Sequence, residues 1–298
     1  MPLTDRMEQR SHVAGSFVCP FCGESGKATK EHVIGQRFRR EFPSIGRHVE
    51  RFGNYSEPQA YSSPVNVDGR WVEQNVRRGS KTPELHNVQV KVCRTCNNGW
   101  MAALDDAVVP LIKRVSGESR LRTINRADST TLTQWLYKIA LAYDLFVPQA
   151  LRAYESGSAA RFFQNRGLPK DVTTYLGRRP GTEWLSFWQH GWTLAPHGTP
   201  DAEVVCGEPT VSTTFFAIED LRFVMHRVSL SLPQTIRTQV LRLITNRMRF
   251  TGFRRVERSM SSVSFGFPLT DRLQHRARLA VYDTVNKHAD IVTRPRRW

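Results

Sequence analysis

The stretch Val92–Trp100, with the sequence Val-Cys-Arg-Thr-Cys-Asn-Asn-Gly-Trp, decides how we interpret the first third of the chain. It repeats the Cys-x-x-Cys spacing of an earlier stretch, Cys19-Pro-Phe-Cys22. Two such pairs supply the tetrahedral thiolate set of a structural zinc site, which leaves no position for water. The sequence therefore predicts one zinc ion bound by Cys19, Cys22, Cys93 and Cys96.

Seventy residues separate the two cysteine pairs. This gap is too long for a compact zinc ribbon, but it suits a treble-clef-like frame in which a loop has grown at low entropic cost. Alternating apolar residues predict a strand from Asn87 to Val92, and the β-branched segment around Glu31 and His32 predicts another. The apolar spacing after Asn97 predicts a helix to about Arg114, with Pro110 as a source of a kink.

The combination of cysteine pairs, the Glu31-His32 pair and Asn97 resembles the HNH nuclease family, over roughly the first third of the chain. The resemblance implies a ββα-metal fold, with the acid-His pair on a strand and the asparagine at the start of a helix. It further implies that His32 is the general base, and that Glu31 and Asn97 hold a catalytic Mg²⁺ or Mn²⁺. Cleavage would leave 5′-phosphate and 3′-hydroxyl ends.

Several positions near this site have more than one interpretation. Asn97 has an alternative role as a helix N-cap, and Asn98 competes with it for both roles. Asn87, with His86 beside it, is the nearest candidate for the asparagine with which many family members orient the base. Gly35 stands where relatives often have proline. On a regular strand Glu31 and His32 point to opposite faces, so a shared site needs a bent backbone or a carboxylate that reaches round.

The whole chain is predicted to be α+β. A zinc-stabilised HNH domain covers residues 1–118, with an insertion at about 36–84 that contains a hairpin around Asp68-Gly69. Residues 119–298 are predicted to form a second domain with helices and an antiparallel sheet. Its expected helices are Thr131–Leu145, a segment from Pro233 and Leu269–Asn286, and its expected strands are Val172–Leu176, Trp184–Leu194, Val211–Ile218 and Phe223–Leu230. We expect a loop at Glu155–Ala159, and Trp184, Trp188 and Trp192 on a buried sheet face.

Positive charge is concentrated at the carboxyl end. The formal net charge is +16, and residues 221–298 contain 16 Lys or Arg against four Asp or Glu. Such a basic segment is typical of proteins that bind a phosphate backbone, although an arginine-rich composition or a solvated surface explains it equally well. Arg37, Arg39 and Arg40 are further candidates for phosphate contacts, with a solvated basic loop as the alternative.

The sequence favours a cytoplasmic location. It contains no run of eighteen apolar residues, and its first seventeen residues lack the apolar core of a signal peptide. Four of the five cysteines lie in Cys-x-x-Cys pairs, which fits a reducing compartment, and Cys206 is expected to be a buried small apolar residue.

Two functions follow as hypotheses. The first is a metal-dependent DNA endonuclease that acts in phage defence, restriction or DNA mobility, for which a homodimer would suit double-strand cleavage. The second is a non-catalytic zinc-stabilised protein that binds nucleic acid, or a sensor whose basic face meets an acidic partner.

Overall fold

The computed structural model describes residues 17–42, 61–67, 70–76, 88–116, 123–147, 152–178, 186–196, 208–250, 254–256, 262–264 and 291–295. Several predicted features lie outside these residues: His86, Asn87, Trp184, Cys206, the turn at Asp68-Gly69, the helix Leu269–Asn286 and the boundary at 118/119. The side chains of Trp188 and Trp192 are likewise outside the description. The fold is α+β with antiparallel sheets and helices, as predicted.

Two short antiparallel ribbons build the amino-terminal part. Strands β1 (Phe17–Val18) and β2 (Ser25–Gly26) pair around the first cysteine pair. Strand β3 (Ala28–His32) pairs with β6 (Gln89–Cys93), so that Ala28 lies opposite Cys93. Both strands of this second ribbon were predicted. In the expected insertion, β4 (Tyr61–Val67) pairs with β5 (Arg70–Val76), which confirms strands on either side of Asp68-Gly69.

The helix after β6 begins three residues earlier than predicted. Helix α2 (Arg94–Cys96) starts directly after Cys93, whose thiol accepts the backbone N–H of Cys96 as an N-cap. A π-helical turn (Asn97–Met101) with a non-helical backbone at Gly99 leads into helix α3 (Ala102–Val115). The alternative role of Asn97 as N-cap is therefore wrong, because the helix begins before it. Pro110 lies inside α3.

Helix α1 (Gln36–Glu41) occupies the first residues of the expected insertion. It is held in the core by Phe38, which is fully buried and stacks on Trp135 at 4.7 Å between ring centroids. Trp135 belongs to helix α4 (Arg126–Phe146), which Asn125 caps by accepting the backbone N–H of Asp128. This cap starts α4 five residues before the predicted Thr131.

The second half of the chain contains a six-stranded antiparallel sheet. The strands of this half span Thr123–Asn125 (β7), Val172–Arg178 (β8), Ser186–Pro196 (β9), Val211–Ile218 (β10), Leu221–Val228 (β11), Arg254–Val256 (β12), Ser262–Ser264 (β13) and Ile291–Pro295 (β14). The order in the sheet is β12-β8-β11-β10-β9-β14, and a separate two-stranded ribbon joins β13 to β7. The four predicted strands correspond to β8 to β11, displaced by no more than two residues at their first positions.

Helices cover both faces of the sheet. One face, with Phe216 and Phe223, belongs to the same apolar core as α3, α4 and the two cysteine knuckles, Cys19–Cys22 (first knuckle) and Cys93–Cys96 (second knuckle). The other face, with Phe215 and Val224, packs against Val240 and Ile244 of helix α6 (Gln234–Phe250). A short helix α5 (Ser158–Asn165) begins within the expected loop Glu155–Ala159 and adds Phe162 to the first core. One continuous core therefore connects the segment that carries the four cysteines with the sheet.

Two arginines of the basic carboxyl-terminal part are interior residues. Arg222 is fully buried and donates to the backbone carbonyls of Glu219 and Leu221. Arg227 is also buried and pairs with Asp171 and Glu155. These two charges are used inside the protein, so they do not add to a surface for nucleic acid. None of the helices in the described ranges has the length and apolarity needed to cross a membrane.

The contact between α1 and α3 explains why glycine stands at position 35. A Cβ added there would overlap the carboxylate oxygen Oδ2 of Asp105, which belongs to α3. We expect Gly35→Ala to lower the free energy of unfolding by about 1 to 3 kcal/mol, the usual cost of overpacking, measured by urea denaturation. Gly167→Ala is the matched control, because its Cβ would meet only the Asn165 carbonyl oxygen at 3.6 Å. Equal losses in both variants would contradict this explanation.

Candidate functional site

The four predicted zinc ligands meet at one point. The Sγ atoms of Cys19, Cys22, Cys93 and Cys96 all lie within 4.8 Å of one another. All four are free thiols. A tetrahedral zinc ion with bonds of about 2.3 Å needs sulfur atoms about 3.8 Å apart, so this cluster fits one ion. It is the one group of three or more His, Cys, Asp or Glu ligand atoms close enough to share a metal in the described part of the chain.

Backbone N–H groups surround the thiols. Cys93 N–H donates to Cys19 Sγ and Cys96 N–H donates to Cys93 Sγ, both at 3.4 Å. Burial raises the pKa of the Cys19 thiol, but N–H donors from Cys22, Cys93 and Phe21 outweigh it and bring this pKa to about 7. Burial raises the pKa of Cys22 to about 11. Cys19 is thus more ready than Cys22 to ionise when a metal arrives.

Aromatic packing ties the cysteine cluster to the second half of the chain. The ring of Trp100 contacts Phe21 of the first knuckle and Phe162 of α5, at centroid distances of 5.6 and 5.7 Å. The guanidinium of Arg166, just after α5, lies 4.6 Å from the centroid of the Trp100 ring, a cation–π geometry. The second knuckle is therefore supported by residues from both halves.

The two residues of the predicted acid-His pair, Glu31 and His32, lie on opposite faces of the β3–β6 ribbon. The register is regular at these positions, with Glu31 opposite Val90 and His32 opposite Gln89. Successive side chains of a strand point to opposite faces, and the regular register gives the backbone no bulge that would change this. Glu31 accordingly points into the core and His32 lies on the half-exposed outer face.

His32 is held by a residue that the sequence reasoning missed. Gln89 Nε2 lies 2.8 Å from His32 Nε2, across the ribbon. Burial and then the positive charge of Arg39 lower the pKa of His32 below 6.5. The imidazole is therefore neutral at pH 7, as a general base requires. Polar and apolar residues alternate along β6 in the sequence. This alternation is the sequence signal that places Gln89 on the exposed face of the ribbon, where His32 also lies.

Glu31 belongs to a buried ionic cluster. Its Oε1 lies 3.3 Å from Lys138 Nζ, which also donates to Asp105 Oδ1 at 2.9 Å. Lys138 is fully buried and Glu31 is 7% exposed. Trp135 Nε1 donates to the same Asp105 oxygen at 2.9 Å. Burial and the charge of Asp105 raise the pKa of Glu31 against the attraction of Lys138. Sequence reasoning had no signal for this cluster, because Lys138 lies on α4, 107 residues beyond Glu31.

Asn97 connects the start of the helical segment with β3. Its Nδ2 donates to Thr29 Oγ1 at 3.1 Å and to the Lys30 carbonyl at 3.2 Å. The amide oxygen Oδ1 takes no part in either bond. Asn98, the competing candidate, is exposed.

These contacts test whether Glu31 and Asn97 fit the catalytic cation that the HNH resemblance implies. Magnesium requires several oxygen ligands in near-octahedral geometry and usually keeps bound waters. The Glu31 carboxylate is instead enclosed in the core with an ammonium as its partner. The described arrangement therefore does not fit a hydrated cation shared by Glu31 and Asn97.

The arginines of α1 differ in their surroundings. Arg37 pairs with Asp106 of α3, whereas Arg39 and Arg40 are exposed. They lie on a helix rather than the solvated loop considered as an alternative.

Comparisons of the chain with protein-family models, with curated proteins and with solved structures each give no match. The resemblance to HNH nucleases accordingly depends on the motif residues themselves.

Loss of one thiol should remove the metal and destabilise the fold around it. Zinc binding contributes about 10 to 16 kcal/mol in zinc-finger peptides, so Cys96→Ser is expected to lose zinc and unfold the knuckles and the β3–β6 ribbon. Elemental analysis and circular dichroism measure both effects. Cys206→Ser, which alters the one cysteine outside the quartet, is the control and should keep about one zinc per chain. A parent protein that folds without zinc would contradict the assignment.

Proposed function

We propose that this chain is a zinc-stabilised nuclease of HNH type that hydrolyses phosphodiester bonds in DNA, with His32 as the general base. The observation that carries the proposal is the position of His32. It lies on the outer face of a ribbon whose end is Cys93, and its neutral imidazole is oriented by Gln89.

The charges around His32 support a phosphate-containing substrate. Lys30 and Lys91 lie directly opposite each other on the ribbon and both are exposed. Like charges in this position are unfavourable unless an anion binds between them. In the described part of the chain no carboxylate forms an ion pair with either lysine. Arg39 adds a third positive charge that acts on His32. A phosphate backbone is the polyanion that such a face suits.

The reaction uses His32 to take a proton from water. Gln89 Nε2 donates to His32 Nε2, so the proton of the neutral imidazole is on Nδ1 and Nε2 is the basic nitrogen. Nε2 takes the proton from water when its hydrogen bond with Gln89 opens. The hydroxide formed attacks phosphorus, the bond to the 3′-oxygen breaks, and that oxygen leaves as a hydroxyl after it takes a proton from solvent water, while the His32 imidazolium returns its proton to solvent. The resemblance implies the resulting 5′-phosphate. The cationic side chains Lys30, Lys91 and Arg39 are the charges available to the phosphate as its negative charge grows.

A second candidate function is a non-catalytic zinc-stabilised protein that binds nucleic acid. The burial of Glu31 favours it, because the acid of the expected catalytic pair is engaged with Lys138. In that case the same basic face binds DNA, and His32 is a contact residue.

Replacement of His32 separates the two candidates. We expect His32→Ala to lower the rate of plasmid nicking about 100-fold or more, the usual contribution of a general base, while DNA binding and zinc content stay unchanged. Gln89→Glu is unsuitable as a control because it adds charge, so we choose Lys113→Ala, which alters an exposed lysine of α3 that pairs with Glu41. Binding without cleavage in the parent protein and both variants would favour the second candidate.

The pH dependence should reflect the lowered pKa of His32. The base is active when neutral, and a lowered pKa keeps it neutral to lower pH, so cleavage should fall with a midpoint below 6.5. Arg39→Gln removes a positive charge and should move the midpoint upward, whereas Arg40→Gln is the control. The measurement is kcat/KM for cleavage between pH 4.5 and 8, with zinc content verified at each pH. A midpoint above 6.5, or one that Arg39→Gln leaves unchanged, would remove His32 from this role.

A further inference from the structure

The buried cluster of Glu31, Lys138 and Asp105 belongs to the site but takes no part in the proposed reaction. It brings together β3, α4 and α3, which carry its three members. Lys138 Nζ lies between the two carboxylates, at 2.9 Å from Asp105 Oδ1 and 3.3 Å from Glu31 Oε1. Each of the three side chains is at least nine-tenths buried.

The other groups around the cluster limit its possible occupants. Trp135 Nε1 donates to the same Asp105 oxygen as Lys138, and Gly35 packs against the second Asp105 oxygen. A hydrated divalent cation needs several oxygen ligands and space for water. An ammonium group needs acceptors only, and it has three protons to donate. The enclosed geometry therefore selects the lysine over a metal ion.

Removing Lys138 would leave the carboxylates of Glu31 and Asp105 without the positive charge that both of them contact. Buried charges without a partner are strongly unfavourable, so such a pair must take up protons or another cation. Two carboxylates from different elements are also the oxygen ligands that Mg²⁺ and Mn²⁺ bind.

We infer that Lys138 is a built-in counter-ion that takes the place of a divalent cation at Glu31, and that its removal turns Glu31 and Asp105 into a site for Mn²⁺ or Mg²⁺. The native chain therefore binds no divalent metal through Glu31. Lys138 also joins α4 to the acid-His strand, which makes the second half of the chain part of this site. The inference concerns metal binding and does not depend on whether His32 supports cleavage.

The test is Mn²⁺ binding to the full-length, zinc-loaded protein, followed by electron paramagnetic resonance. We expect the parent protein and Glu31→Gln to bind Mn²⁺ equally, because the native Glu31 is engaged with Lys138. Lys138→Ala removes the ammonium and vacates the space that a cation and its bound waters need. It should bind Mn²⁺ at least tenfold more tightly than the parent protein, and the double variant Glu31→Gln/Lys138→Ala should lose that gain.

Lys113→Ala is the matched control, because it removes an exposed lysine of α3 that pairs with a single carboxylate, Glu41. It should bind Mn²⁺ as the parent protein does. A folded, zinc-loaded Lys138→Ala protein without tighter Mn²⁺ binding would overturn the inference. If Lys138→Ala does not fold, the first comparison decides: equal binding by the parent and Glu31→Gln supports the inference, and weaker binding by Glu31→Gln overturns it.

Discussion

The register of the β3–β6 ribbon is the constraint on which the rest of the site depends. Pairing Ala28 with Cys93 brings the two cysteine knuckles together across 70 intervening residues. The same register sends His32 to the outer face and Glu31 to the core, because side chains alternate along a strand. A shift by one residue would exchange these faces, burying the imidazole and exposing the carboxylate. Metal binding and the placement of His32 are therefore set together.

The core carries this constraint into the second half of the chain. Phe38 stacks on Trp135, which also lies edge to face against Phe216 of the sheet at a centroid distance of 5.4 Å. Helix α4 thus contacts the zinc-binding segment with one side and the sheet with another. Lys138 extends the same helix into the ionic cluster at Glu31. The candidate site consequently includes charges supplied by a helix far from it in sequence.

The sequence predicted the local features well and the long-range ones poorly. The cysteine quartet, both strands of the ribbon and strands β8 to β11 follow from spacing and period, and the structure confirms them. Helix α5 was missed because Gly157, in a left-handed conformation with φ of 76°, marks its start and resembles a loop residue. The burial of Glu31 could not be predicted, since it depends on Lys138 and Asp105, which local pattern does not connect with it. The resemblance to the HNH family led us to expect Glu31 to be a metal ligand. A resemblance of motifs carries no information about Lys138, which lies outside the shared motif.

The continuous core has a consequence for how such a chain can evolve. A compact zinc-binding motif is commonly regarded as a cassette that recombination moves between proteins. Here a break near residue 118 would remove Trp135, on which Phe38 stacks. It would also remove Lys138, the counter-ion of Glu31 and Asp105. The segment with the four cysteines therefore depends on the second half of the chain for its buried contacts, and transfer of this segment alone would expose Phe38 and leave two carboxylates unpaired.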